Sequence, residues 1–322
     1  MRDLSIREAI ALLRDGEVVA LPTETVYGLA ADATNFSAVS KIFKTKGRPS
    51  DNPLIVHIGD VGQVDYLADG KNLLVEKLID AFWPGPLTIV MKSKGLVATN
   101  VSAGLDTIGL RMPSHPVMLE LLTSSGLALA APSANLSGKP SPTAASHVRD
   151  DLSGKIEGVV DGGSCVVGLE STVIDVTTDV PIILRPGSIK KADIERIIGP
   201  VKISYNEENA PKAPGMKYAH YAPEGEVFVV DGTPNFMLNL IKKYKKTGVK
   251  VGVLCQEADF STYGIADVVV DIGPSGENLY HGLRHFDIED VQVILSVVFD
   301  DEAVDNRVMK ASKERVIREL ED

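Results

Sequence analysis

The chain has little of what several common chemistries need. It carries two cysteines in 322 residues, Cys165 and Cys255. They lie far apart and match no metal-ligand spacing, and a reducing cytoplasm is the compartment they suit. No apolar run approaches the roughly 20 residues that span a bilayer. The opening MRDLSIREAIALLRDGE reads as an amphipathic helix rather than a signal peptide. There is no GxGxxG to bind a dinucleotide and no GxSxG to supply a serine nucleophile. Aromatic residues make up 5%, with one tryptophan, and no stacking motif of the single-strand-binding kind is visible. Positive charge is also in deficit. Lys and Arg number 33 against 44 Asp and Glu, a formal net charge of -11. That balance argues against nonspecific duplex binding as the main activity, though it leaves room for a local basic groove.

Against this acidic background, four cations fall within eight residues: Lys41, Lys44, Lys46 and Arg48. They belong to LPTETVYGLAADATNFSAVSKIFKTKGRPSDNPLIVHI, the stretch from Leu21 to Ile58. This reads as an apolar strand, a hydroxyl- and glycine-bearing loop TETVYG, a helix, and a second apolar strand PLIVHI. Lys41 and Lys44 have the spacing of a solvated helix face. Lys46 and Arg48 flank the helix-ending Gly47 and Pro49, so their side chains are expected to project from a loop suited to a polyphosphate or other small anion.

The pattern over residues 1–199 is α/β with a large, mixed, twisted sheet. Helices are expected over residues 5–14, 37–46, 72–81, 116–124, 143–152 and 190–198. Strands are expected over 18–21, 54–58, 87–91, 107–111, 127–131, 158–160, 171–176 and 182–184. Residues 200–224 carry four prolines and three tyrosines with no periodicity, the character of a linker. Residues 225–322 read as a small Rossmann-like α/β unit: strand 226–230, helix 235–246, strands 250–254 and 267–271, then helical segments from about residue 277.

Five segments place polar or cationic groups at the ends of apolar strands, where α/β sheets bind ligands. They are Thr23-Glu24-Thr25, Lys46-Gly47-Arg48, Thr107 to Arg111, Ser133-Ala134-Asn135, and Glu170-Ser171-Thr172. Each has a bland reading. Thr23 fits a turn cap, Ser133 an N-cap, Asn135 a left-handed turn residue, and Arg111 an ion pair with an acid. Convergence of all five on one concave cavity is the sharper expectation.

These segments, in this order, resemble the YrdC-type threonylcarbamoyl-adenylate synthase family in its long two-domain form. The resemblance rests on PTETVYGL, Lys46-Gly47-Arg48, DNPLIVHI, WPGPLT at Trp83–Thr88, AGLDTIGLRMP, APSAN, GLEST with LRPG, and APGMKYAHYAP. It covers nearly the whole chain. It implies an enzyme, a nucleotidyltransferase that makes L-threonylcarbamoyl-AMP from L-threonine, bicarbonate and ATP with release of pyrophosphate. Downstream threonylcarbamoyl transferase proteins then modify the adenosine next to the anticodon of tRNA, with at most weak tRNA contact by the synthase.

By the same resemblance, L-threonine is held by positions matching Thr23, His57, Arg111 and Ser171, with backbone near Ala131. ATP is held by Lys46, Ser50, Thr107, Ser133, Asn135, Ser141, Arg185 and Tyr218. Lys46, Arg48 and Arg185 are the candidates to neutralise charge in catalysis. Mg²⁺ is expected on the ATP phosphates, with no protein side chain as its ligand. Tyr218 lies in the linker, which would then act as a lid over a labile carbamate. One departure stands out. The glycine-rich stretch usual before the Asn306-Arg307 pair is here acidic, with Asp300, Asp301, Glu302 and Asp305. The rivals are an RNA-binding module without chemistry, and a carbamoyltransferase relative, whose fused catalytic or zinc modules this chain lacks.

Overall fold

The computed structural model describes residues 1–204 and 221–319. The chain divides into two compact units. One gathers Met1–Ser137, Pro142–Val166 and the described residues from Glu170 to Ser204. The other gathers Gly138–Ser141, Val167–Leu169 and residues 221–319.

The first unit is built on a mixed sheet of 12 strands among the described residues. Its central order is Val19–Leu21, Gly28–Asp32, Leu129–Ala130, Ile55–His57, Thr107–Arg111, Leu87–Ser93, Thr172–Asp175 and Ile182–Arg185. Parallel and antiparallel pairs alternate irregularly along it. Period-two alternation lets each strand serve two cores. Leu29 and Ala31 join Ile42, Val56 and Leu110 on one face. Ala30 joins Leu13, Leu21 and Leu122 on the other.

Two sequence expectations need correction. The TETVYG loop does not lead directly into a helix. Gly28–Asp32 is a strand, antiparallel to Val19–Leu21. Its sequence, GLAAD, has no β-branched residue, so local propensity gave no signal and sheet pairing decided. In the second unit, the helical reading from residue 277 onward fails at the edge strand Val316–Arg318 and also at Val293–Val297. The latter is a central strand between Val251–Cys255 and Glu226–Asp231. A strand covered on both faces reads as an unbroken apolar run, and VILSV has no alternation to set it apart from its helical neighbours.

The second sheet has five strands, all parallel, in the order Val268–Asp271, Val251–Cys255, Val293–Val297, Glu226–Asp231 and Val316–Arg318. The acidic run receives a local explanation here. Asp301 caps the helix Glu302–Ala311, accepting from the N–H groups of Ala303 and Val304, and Glu302 and Asp305 lie in its first turn. Carboxylates at a helix N-terminus complement its dipole. Arg307 is fully buried in that helix.

Candidate functional site

The loop after Val19–Leu21 organises itself first. Thr23 Oγ1 accepts from the N–H groups of Thr25 and Val26, both at 3.1 Å, and donates to the Val26 carbonyl at 2.7 Å. The turn-cap reading of Thr23 is therefore what the structure shows. The same hydroxyl lies 2.8 Å from Thr25 Oγ1.

The Arg111 guanidinium adjoins this loop. Arg111 ends its strand in register with His57. Its Nη2 donates to Glu24 Oε1 at 2.6 Å, its Nη1 to Thr25 Oγ1 at 3.0 Å, and its Nε to the Gly85 carbonyl at 3.3 Å. Both members of the Arg111–Glu24 ion pair are buried. Three of five guanidinium donors are thus committed, leaving one N–H on each Nη nitrogen for a ligand. The ion-pair reading of Arg111 holds, and its partner is Glu24 of the Thr23-Glu24-Thr25 segment. Glu24 also accepts from the Ser114 N–H at 3.2 Å.

His57 is buried beside Arg111, and its Nδ1 meets no hydrogen-bond partner among the described residues. Burial first, then the Arg111 charge, pushes its pKa down to about 3. It is a neutral imidazole at physiological pH, able to accept or donate one hydrogen bond. Cys165 is buried near the same loop. Desolvation, then the Glu24 charge, pushes its thiol up to about 12, which makes it a poor nucleophile.

The Lys-x-Arg and Ser-x-Asn signatures prove to be one unit. Asn35 caps the helix Phe36–Lys46 at its start, and Gly47, at φ 62°, ends it with a left-handed turn. Lys46 occupies the final helical position and is buried. It points inward, which corrects the expectation that it projects from a loop. Its Nζ donates to the Ser133 carbonyl at 2.5 Å, the Asn135 carbonyl at 2.6 Å and Asn135 Oδ1 at 3.1 Å. Ser133 Oγ donates to Asn135 Oδ1 at 2.6 Å. The Ser137 N–H returns to the Lys46 carbonyl. Asn135 is not among the residues with positive φ, so the left-handed turn reading fails there. The ammonium shapes this loop with the same donors a phosphate would use.

A third cluster forms across the antiparallel pair Thr172–Asp175 and Ile182–Arg185. Arg185 donates through Nε to the Ser171 carbonyl and through Nη2 to Ser171 Oγ, both at 3.0 Å. Ser171 Oγ lies 2.8 Å from Thr88 Oγ1. The Trp83–Pro86 loop links this cluster to Arg111. The Gly85 carbonyl receives Arg111 Nε, and the Pro86 carbonyl receives the Thr172 N–H. Ala131 ties the second strand end in, since its N–H donates to the Ile55 carbonyl.

Other expected positions join less directly. Arg48 is half-buried and donates to the Asn52 and Pro53 carbonyls, both at 3.4 Å. Ser50 is exposed, and Thr107 is half-buried at the start of its strand. Ser141 is buried and belongs to the second unit. Tyr218, with its neighbours Lys217 and His220, lies outside the described residues. Among the described residues, no group of three or more His, Cys, Asp or Glu side chains could hold a metal ion, and no helix is long and apolar enough to cross a membrane.

Buried guanidinium groups, an inward ammonium and short hydroxyls at several strand ends define an α/β protein equipped for small anionic and hydroxyl-bearing ligands. Residues 11–187 match the Sua5/YciO/YrdC family model, described as "Telomere recombination". Residues 189–313 match the model for the threonylcarbamoyl-AMP synthase C-terminal domain. The chain belongs to the Sua5/YciO/YrdC family, in its two-domain form.

Among curated relatives, the chain is 47% identical to the threonylcarbamoyl-AMP synthase of Bacillus subtilis, covering 98% of this chain and 95% of that protein. It is 45% identical to the Pyrococcus abyssi threonylcarbamoyl-AMP synthase, with 99% and 97% covered. The crystal structure of P. abyssi Sua5 complexed with L-threonine superposes with a TM-score of 0.92 at 45% identity, covering 98% of this chain and 96% of that one.

Proposed function

We propose that this protein is an L-threonylcarbamoyl-AMP synthase, which joins L-threonine, bicarbonate and ATP and releases pyrophosphate. The observation that carries this reading is its near-full-length match, at 45% identity and TM-score 0.92, to a relative crystallised with L-threonine. Within the described residues of the first unit, the motif residues lie at strand ends, in connecting loops and, for Lys46, on the last turn of the helix Phe36–Lys46.

The residues have chemically coherent roles. The remaining Arg111 N–H groups suit the threonine carboxylate. The neutral His57 suits the β-hydroxyl, with Thr23 shaping that wall through the loop its own hydroxyl holds together, and a pocket that hydrogen-bonds a hydroxyl rejects an isostere lacking it. Ser171 and the backbone near Ala131 complete that pocket. The threonine amine, deprotonated, attacks the carbonyl source. The resulting carbamate oxygen attacks the α-phosphorus, and pyrophosphate leaves. The protein mainly positions reactants and stabilises charge.

Arg185, Arg48 and Lys46 supply positive charge. Ser50, Thr107, Ser133, Asn135, Ser141 and Tyr218 are assigned to the nucleotide, which enters with Mg²⁺ on its phosphates as part of the substrate. The product passes to threonylcarbamoyl transferase proteins that act on tRNA in the cytoplasm, and any direct tRNA contact is weak.

The test is pyrophosphate release from ATP and bicarbonate with L-threonine, L-serine, L-valine or no amino acid. Threonine-dependent release, with an adenylate-linked product by mass spectrometry, supports the reading. No release from folded protein with Mg²⁺ defeats it and favours an RNA-binding module, to be sought by salt-dependent titration.

A further inference from the structure

Asn52 lies between the helix Phe36–Lys46 and the strand Ile55–His57, and it is 0% exposed. Its backbone is engaged, since its carbonyl accepts from Arg48 Nη2 at 3.4 Å. Its side chain is not. Neither Oδ1 nor Nδ2 meets a hydrogen-bond partner among the described residues. Buried amides are nearly always bonded, because an unmade hydrogen bond forfeits the water interactions lost on burial. Leucine is similar in size and would avoid that cost. The amide therefore points to a ligand.

The chemistry of that ligand follows from what the site offers. An asparagine amide presents one acceptor and one donor group side by side, and the Arg48 guanidinium brings positive charge to the same short segment, donating to the backbone carbonyls of Asn52 and Pro53. The complement is a small planar group with a donor, an acceptor and a negative charge. Bicarbonate has all three: its hydroxyl donates and its charged oxygens accept. An adenine edge also places a donor beside an acceptor, but adenine is neutral and far larger, whereas Asn52 is wholly enclosed beside a cation.

We propose that the Asn52 amide, beside Arg48, binds bicarbonate and then the carbamate that replaces it, an assignment that rests on the synthase reading. In that step a bond forms between the threonine nitrogen and the bicarbonate carbon. The carbon–hydroxyl bond breaks, and hydroxide leaves as water with a proton from the nitrogen. The carbamate carries N–H where bicarbonate carried O–H, and it keeps its charged oxygen. The donor and acceptor pattern that Asn52 reads is thus preserved across the reaction.

The test compares full-length wild type with Asn52→Leu and with the isosteric Asn52→Asp. Steady-state KM values are measured for bicarbonate in CO2-depleted buffer, for ATP and for threonine. Line broadening of [13C]bicarbonate is measured by NMR without ATP or threonine, and Tm is recorded for each protein. The expected result is a bicarbonate KM raised about tenfold or more in Asn52→Leu, the size of a lost buried polar contact, with the other two KM values little changed. Wild type broadens the carbon signal and both variants do not.

If Asn52→Leu fails to fold, Asn52→Asp decides the matter, since it keeps the shape but replaces the donor with a second, charged acceptor. An unchanged bicarbonate KM with raised Tm overturns the proposal and makes the amide a structural or water-bonded group. A selective rise in ATP KM, with lost discrimination against GTP, overturns it in favour of the adenine edge. If wild type shows no threonine-dependent pyrophosphate release, the synthase reading fails separately, and the [13C]bicarbonate comparison still decides whether Asn52 holds the oxyanion.

Discussion

With Arg111 and Glu24 both buried, removing either leaves the other charge uncompensated. Arg111→Ala is expected to cost about 3–5 kcal/mol of stability, so lost activity in that variant says little about threonine binding. Arg111→Lys is more informative, because it keeps the charge and removes the planar fork. Its threonine KM should rise about tenfold or more, equivalent to 1.4 kcal/mol, while its ATP KM stays close to wild type. An unchanged threonine KM would remove Arg111 from the amino-acid pocket.

His57 gives a pH prediction. Its folded pKa, about 3, lies below its ordinary value of 6.5. Between those values the unfolded chain binds a proton that the folded protein refuses. Stability therefore falls as pH drops from about 6.5 towards about 3, at up to about 1.4 kcal/mol per pH unit from this residue. Urea unfolding from pH 7 to pH 4.5 should show a shallower acid slope for His57→Gln than for wild type. Identical slopes would mean that other groups carry the acid limb.

At the scale of elements, the site depends on close backbone approaches. Gly187 follows the strand that ends at Arg185. A Cβ built there would lie 2.4 Å from the Thr172 N–H nitrogen and 2.8 Å from the Ser171 carbonyl carbon. Neither atom belongs to a movable side-chain tip, so the two strands must part. Gly187→Ala is expected to cost about 1–3 kcal/mol by overpacking, and to impair activity more than that loss explains by shifting Arg185 from Ser171. Denaturant melts paired with pyrophosphate assays would check this, and wild-type kcat/KM would show that the Arg185–Ser171 contact is dispensable.

The element scale also shows which parts were legible. The helices from Phe36, Leu73, Pro116 and Lys191 agree with the expected spans to within a residue or so. Their apolar spacing and their Asn, Pro and Gly punctuation are local signals. Gly28–Asp32 is made a strand by its pairing with Val19–Leu21 and Leu129–Ala130 rather than by local propensity, whereas Val293–Val297 has strand-forming residues but no alternation to separate it from a buried helix.

At the scale of the whole molecule, each unit has its own sheet and its own buried core. A chain cut before residue 200 is therefore expected to unfold cooperatively. The sequence reading makes the linker 200–224, with Tyr218, a lid; on that reading the shortened chain should be folded yet strongly impaired in forming the adenylate, because water gains access to the carbamate. Circular dichroism and pyrophosphate release on the same sample would decide it. Full activity in the truncated chain would refute the lid.

The order of motifs, the two-part organisation and the set of polar strand ends were determined by the sequence alone, because they depend on residue type and spacing. Tertiary structure decided how those groups are used. It turned Lys46 inward onto Ser133 and Asn135, paired Arg111 with Glu24, and bonded Arg185 to Ser171. It also left the Asn52 amide buried with neither side-chain atom bonded among the described residues. The partners in each pair lie 14 to 89 positions apart in the chain. Such distances are closed only by sheet pairing and core packing, which no local pattern encodes.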